Sequence, residues 1–376
     1  MLDTLISQAP SFLLAAASFI GLLTVIVFIH EMGHFLVGRW CGARVDVFSI
    51  GFGREVWGWN DKHGTRWRVA WLPLGGYVKF TGDANAASMP DATAVRDETT
   101  FHGRPLWQRA TIVVAGPMAN FILSIVLFAG VYSIVGKQII APVVSAVVKG
   151  GAAEKAGILA GDKILFLDGS KVVTFYDIPR LISDKQGVEI SVKIERNAKE
   201  LTLNVTPTTK EVKDGMGGKI KIGLLGVQRN INNGDVVYDR KNIIEAVSMG
   251  VTETWSIISQ SLSYIKGMFV GSVSTDQLAG PVGIAQLTGN VATLGLTALV
   301  QLGAVLSISI GLINLFPIPM LDGGHLLYYL IEAVRGKALS PKVQEFGFMV
   351  GFAVVISLML FATKNDIMLR LNLFGN

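Results

Sequence analysis

The sequence predicts a polytopic α-helical membrane protein with about four transmembrane helices, a membrane-associated β-hairpin and one inserted α/β domain. Three observations carry that expectation. Of 376 residues, 51% are apolar and only 16% charged, where soluble domains carry about a quarter charged residues. Four stretches, 11–38, 110–135, 292–316 and 344–363, are long enough to cross a hydrocarbon core of about 30 Å, which takes about 20 helical residues. Between the second and third, residues 136–290 change character to mixed strand, turn and helix signals.

The first apolar run has no Lys or Arg before it, so it lacks the basic leader of a cleaved signal peptide and is expected to be retained. Residues 44–80 follow, dense in aromatic and β-branched types, with a turn at Asp61-Lys62-His63-Gly64. They read as a hairpin, 45–59 against 65–80, whose apolar side chains suit the membrane. The segment 39–109 holds ten Lys and Arg while residues 1–29 hold none. The positive-inside rule therefore places 39–109 in the cytoplasm and the N-terminus, 136–290 and the C-terminus outside. Within 139–228 strands are expected at 143–148 and 163–167, a turn at Asp168-Gly169, a helix over 175–184, a hairpin of 188–196 and 200–207 around Asn197, and a last strand at 220–227. Residues 229–290 form a connector, with an amphipathic helix over 241–268. Residues 291–376 carry the last two spans.

Some function classes are excluded at once. The net charge of +5 is not organised as a basic run interleaved with aromatics, so no nucleic-acid partner is expected. Cys41 is the single cysteine, which rules out an intramolecular disulfide and a thiolate cluster. It reads as a small apolar filler.

The chemistry lies in His30-Glu31-Met32-Gly33-His34. On a helix, positions i and i+4 share one face, so both imidazoles can reach one metal ion. Glu31 is turned about 100° away, off the metal and placed to take a proton from water. Two His and a Glu in an apolar span are costly, and such groups mark function. A catalytic zinc takes three protein ligands and keeps one open position. His63, His102 and His325 are available, but Asp322 is the better third ligand. It lies in Asn314-Leu315-Phe316-Pro317-Ile318-Pro319-Met320-Leu321-Asp322-Gly323-Gly324-His325, a broken helix of the kind tolerated at membrane depth only around a protein-lined or wet cavity. Both motifs end spans that run toward the cytoplasm. Two other readings stay open: a different membrane zincin using a downstream Glu, and a non-enzymatic membrane scaffold.

Together these motifs, the insertion between spans two and three, and Gly116-Pro117-Met118-Ala119-Asn120 in the second span resemble the site-2 protease family of intramembrane zinc metalloproteases, most of all the bacterial proteases that regulate sigma-E. The likeness covers nearly the whole chain. Gly150-Gly151-Ala152-Ala153-Glu154-Lys155-Ala156-Gly157 with Ala160-Gly161-Asp162 resembles the signature of bacterial PDZ domains. The family resemblance implies Zn2+ held by His30, His34 and Asp322, with Glu31 as general base. It implies that Asn314 holds the substrate strand or the developing oxyanion, and that the hairpin presents the substrate as an added strand. Asn120 would serve packing ahead of contact with a ligand. Substrates would be single-span membrane proteins, such as an anti-sigma factor or signal-peptide remnants, cut in the bacterial inner membrane. Relatives often carry two PDZ domains, whereas this chain has room for one.

Overall fold

The computed structural model describes residues 2–85, 97–182, 185, 187–213, 219–230, 236–271 and 280–374. They divide into two compact units: 1–131 with 244–261 and 275–376, and 132–243 with 262–274.

The first unit is built on helices. Among the described residues, four are long and apolar enough to cross a membrane, over Leu13–Trp40, Leu106–Ile134, Leu296–Asn314 and Pro341–Ile367. They belong to α1 (Leu2–Trp40), α2 (Leu106–Ile134), α7 (Leu296–Asn314) and α9 (Pro341–Phe374). The third is shorter at its start than the expected 292–316. Gly295, at φ +105°, lies in a backbone region open to glycine, and it separates α7 from α6 (Pro281–Thr293). Asp366 of α9 accepts the Gly280 and Gly283 N–H groups at 3.0 and 2.8 Å, satisfying donors that a helix start leaves open. After α7 the chain breaks at Pro317 and Pro319 and restarts as α8 (Asp322–Arg335). Its core gathers Phe35, Phe48, Phe80, Phe101, Ile112, Val113 and Tyr329 from α1, α2, α8, the strands and a 3₁₀ turn at Phe101–Gly103.

Strands β1 (Val45–Asn60) and β2 (Arg66–Phe80) form where the hairpin was expected, but their register is not that of a simple hairpin. Residues 45–50 pair with 76–80 in opposite senses, while 47–50 also lie beside 66–69 with both numbers rising together. Residues 55–60 pair with 66–70 in opposite senses. The two long strands thus bend into four short segments in the order 76–80, 45–50, 66–70, 55–60. Gly51 and Gly53, at φ +87° and +93°, provide the fold-back that a straight strand of L-residues resists. Segment 76–80 is thereby an edge. Trp57, Trp59 and Trp71 are exposed.

The second unit is α/β. A four-stranded sheet runs β6-β5-β7-β8, from β5 (Lys163–Leu167), β6 (Ser170–Lys171), β7 (Ile190–Arg196) and β8 (Lys199–Val205). Its hairpins close through Asp168-Gly169 and Asn197-Ala198, all four residues at φ between +48° and +79°, the two-residue turn that suits strand twist. The strand expected at 143–148 is reduced to β4 (Ala146–Val147), which pairs with β11 (Val227–Gln228), and a lone bridge from Val143 to Lys163. The strand expected at 220–227 breaks at Gly226, φ +80°, into β10 (Lys219–Leu224) and β11. Among the described residues, four strands go beyond the expectation: the short β6, β9 (Thr208–Lys213), which pairs with β10, and β3 (Lys137–Ile140) with β12 (Val236–Asp239). Of the helix expected over 175–184, α4 covers Asp177–Ile182, and residues 183 and 184 lie outside the described set. Gly223 sits directly against the Ile182 carbonyl, where a Cβ would collide. Helix α3 (Ala152–Lys155) adds Ala152 and Ala153 to a core with Ile164, Leu167, Ile178, Val192 and Ile194. The amphipathic α5 (Ile243–Phe269), whose residues 244–261 belong to the first unit, matches the expected 241–268 within a turn.

One ion pair in this unit is fully committed. Asp162 is 1% exposed and accepts from Arg196 Nε and Nη2 at 2.7 Å each, and from the Leu159 N–H at 2.8 Å. Burial alone would raise its pKa, but Arg196 and the Leu159 N–H outweigh burial and hold it below the ordinary range. Arg196→Ala leaves the Asp162 carboxylate without its guanidinium partner, so it should lower the stability of this unit. Because the folded pKa is depressed, the pair's contribution is complete above about pH 4, the unfolded value, and fades as pH falls through the folded one. Protease nicking of the full chain on heating should therefore separate variant from wild type at pH 7 and progressively less below pH 4.

Candidate metal centre

Helix α1 presents His30 and His34 one turn apart, rings edge to face at 4.8 Å between centroids. Asp322, the first residue of α8, meets them from the other side. Its Oδ2 lies 3.1 Å from His30 Nε2 and its Oδ1 3.5 Å from His34 Nε2, while the two Nε2 atoms are 3.2 Å apart. A tetrahedral ion with bonds of about 2.0–2.1 Å separates its ligand atoms by about 3.3 Å. The two nitrogens lie near that separation from each other, and each has one Asp322 oxygen at a similar distance, so this donor set fits a zinc ion. As metal ligands, Asp322 would be the carboxylate anion and the two imidazoles neutral.

Helix α2 decides how the imidazoles face. His34 Nδ1 lies 2.9 Å from the Ile112 carbonyl, which can only accept. Nδ1 therefore carries the proton, and Nε2 offers a lone pair toward Asp322 and the ion. His30 Nδ1 lies 3.3 Å from Asn120 Nδ2, and Asn120 Oδ1 is buried with no hydrogen-bond partner among the described residues. A half-turn of that amide exchanges the two atoms. Oδ1 then accepts from His30 Nδ1–H and leaves His30 Nε2 as a donor atom to the metal. Asn120 thus bears on a ligand, where the sequence favoured packing. It also packs: its backbone carbonyl accepts from Ser307 of α7 at 2.9 Å.

Space around the ligands comes from missing side chains. A Cβ on Gly116 would enter the His34 ring, and one on Gly33 would strike the Ala115 carbonyl. Gly323 and Gly324 likewise lie against the carbonyls of Leu315, Phe316 and Ile318, which seats α8 tightly on the broken turn. Met320 in that turn has φ +92°, unusual for a residue with a side chain.

A cavity of about 200 Å³ joins these groups to Glu31, Gly76, Tyr77, Val78, Asn314 and His325. The Glu31 carboxylate faces the Val78 N–H, so the sheet edge 76–80 runs beside it. Asn314 is the last residue of α7. The other histidines are placed otherwise. His63 sits in the hairpin turn, its N–H bonded to Asp61 at 2.8 Å. His102 pairs with Asp83 at 3.0 Å, and His325 lines the cavity one turn beyond Asp322.

The arrangement has relatives. The model of peptidase family M50 matches residues 18–358. A Rhizobium meliloti protein named as a zinc metalloprotease is 46% identical over 373 residues, covering 98% of each chain. One from Agrobacterium fabrum is 47% identical over 355 residues, 93% of this chain and 94% of its own. Metalloprotease MmpA of Caulobacter vibrioides is 38% identical, covering 95% of this chain and 96% of its own.

Two outcomes follow for the ligands. Gly116→Ala should displace the His34 ring and weaken zinc retention in chelator dialysis by at least about tenfold. Asn120→Leu should weaken zinc affinity by about 10–100-fold, and Asn120→Asp, which keeps an acceptor for His30, should lose less. Equal loss in both Asn120 variants would show that the acceptor is irrelevant.

Proposed function

Because this chain belongs to peptidase family M50, the site-2 protease family, and is a zinc metalloprotease, we propose that it is an intramembrane endopeptidase that cuts single-span membrane proteins within or near their transmembrane segments. The observation that carries the reading is the meeting of His30 and His34, inside an apolar span, with Asp322 from beyond another span, beside Glu31 and a strand edge.

His30, His34 and Asp322 hold the ion. Bound zinc supplies a Lewis acid and brings the pKa of water toward about 7. Glu31 accepts the proton of the attacking water and delivers it to the leaving amine nitrogen as the C–N bond breaks. Asn314, on the same cavity, donates to the oxygen that gains charge at the carbonyl carbon. A transmembrane substrate hides its carbonyls in helical hydrogen bonds, so it must unwind first. The 76–80 edge offers replacement backbone bonds with little regard to side chains, as strand addition does. Helix-breaking residues near the cut therefore favour cleavage.

The basic loop 39–109 supports a site toward the cytoplasm of a bacterial inner membrane, with the N-terminus, residues 136–290 and the C-terminus outside. The exposed tryptophans of the sheet suit the lipid interface. The α/β unit is read as a single PDZ domain. The contact of Gly223 with the Ile182 carbonyl closes the gap between β10 and α4, which argues against peptide capture at that point. Anti-sigma factors and signal-peptide remnants are the substrate classes to test.

Purified in detergent, the protein should contain one zinc ion and cleave a model single-span substrate. Glu31→Gln should keep the zinc and lose at least about a thousandfold in kcat, whereas Asp322→Ala should lose the zinc itself. Full cleavage by Glu31→Gln would end the assignment.

A further inference from the structure

We propose that Arg109 and Glu332 are a positioning pair that holds Asp322 in line with the two histidines, so that the metal site is assembled before an ion enters. The inference rests on His30, His34 and Asp322 being the ligand set.

Arg109 stands in the first turns of α2 and Glu332 near the end of α8, 223 positions apart in sequence. Their contact is a two-pronged fork: Nη2 to Oε1 at 2.5 Å and Nη1 to Oε2 at 3.2 Å. Both side chains are largely shielded, 12% and 19% exposed. The guanidinium also lies over the Tyr329 ring, 5.0 Å from its centroid. Tyr329 is seven residues beyond Asp322, about 20° short of two full turns, so the two share one face of α8. Tyr329 is buried in the core that includes Phe35 of α1 and Ile112 of α2.

The spacing on α2 gives the pair its meaning. Ile112, whose carbonyl orients His34, is one turn beyond Arg109. Adjacent turns of one helix thus orient a ligand from α1 and anchor the helix that bears the ligand from α8. Ten residues separate Asp322 from Glu332, about 15 Å of helix. A tilt of about 5° at the anchored end moves the other by about 1.3 Å, more than half the length of a bond to zinc. A shielded ion pair adds little net stability, and an apolar pair of similar volume often serves as well. What the guanidinium–carboxylate fork adds is fixed register and rotation.

The test uses the full chain in detergent, with zinc affinity read by chelator competition and geometry by the visible absorption of the cobalt-loaded protein. Arg109→Leu combined with Glu332→Leu should unfold near the wild-type temperature, yet bind zinc about 10–100-fold more weakly and show a weakened tetrahedral cobalt band. Glu332→Asp keeps the charge but shortens the reach by one methylene, and should show a smaller loss of both. The reversed pair, Arg109→Glu with Glu332→Arg, should bind zinc more tightly than either reversal alone. Wild-type zinc affinity and cobalt spectrum in folded Glu332→Asp and in the double leucine variant would overturn the proposal. Wild-type affinity in Asp322→Ala would instead overturn the ligand set beneath it.

Discussion

Two imidazole nitrogens 3.2 Å apart each face one oxygen of a single carboxylate, at 3.1 and 3.5 Å, where water is scarce. Such a cluster is suited to a cation, and nothing in α1 or α8 alone would hold it. It is held through α2, which contributes no ligand. The Ile112 carbonyl fixes one imidazole, Asn120 faces the other, and Gly116 clears room for the ring. Ser307 then ties α7, which ends in Asn314, to the Asn120 backbone. A helix with a low-polarity surface is therefore the template on which the polar site is laid out. That division suits a bilayer, where each polar group needs a protein partner.

Close approach of backbones makes the template work. In lipid the gain from packing helices comes from contact and complementary shape, since hydrocarbon tails are as apolar as leucine. Gly33 on the Ala115 carbonyl and Gly311 against the Pro117 carbonyl bring α1 and α7 within backbone distance of α2. The broken segment after α7 keeps its own polar groups satisfied by short-range bonds, Ile318 N–H to the Phe316 carbonyl and Leu321 N–H to the Ile318 carbonyl. Asp322 can begin a helix there because the turn ahead of it needs no water.

How much of this could be read from the chain divides along range. The His-Glu-Met-Gly-His run was legible because its geometry is that of one helical turn, and Asp322 because prolines and glycines around a carboxylate are rarely accidental in a span. The turn at 61–64 was legible too, but the sheet's four-segment arrangement was not. It depends on fold-backs at Gly51 and Gly53 that turn one strand into two, a matter of backbone angle with no periodicity to reveal it. The break at Gly295 and the pairing of β9 with β10 were missed for similar reasons. Asn120 was read as packing because its sequence neighbours are apolar, while its decisive neighbour is 90 positions away. Local pattern names the candidate ligands; only the fold shows what aims them.

The remaining step joins the sheet to the chemistry. Helix α1 carries Glu31, the proposed general base, and leads into β1, and the chain then returns as 76–80 to lie beside it, with Gly76 close to the Glu31 side chain. The proposed site of proton transfer and the proposed surface for an extended strand are thus parts of one short stretch of chain, 30–80, so their spacing is set without help from distant elements. An unwound transmembrane segment exposes amide groups that cost several kcal/mol each in hydrocarbon, and an edge strand is the one surface that repays them in series. On the proposed intramembrane activity, cleavage selects for substrates whose helices open at low cost, and the side chains flanking the cut then matter less for what they contact than for how poorly they hold a helix.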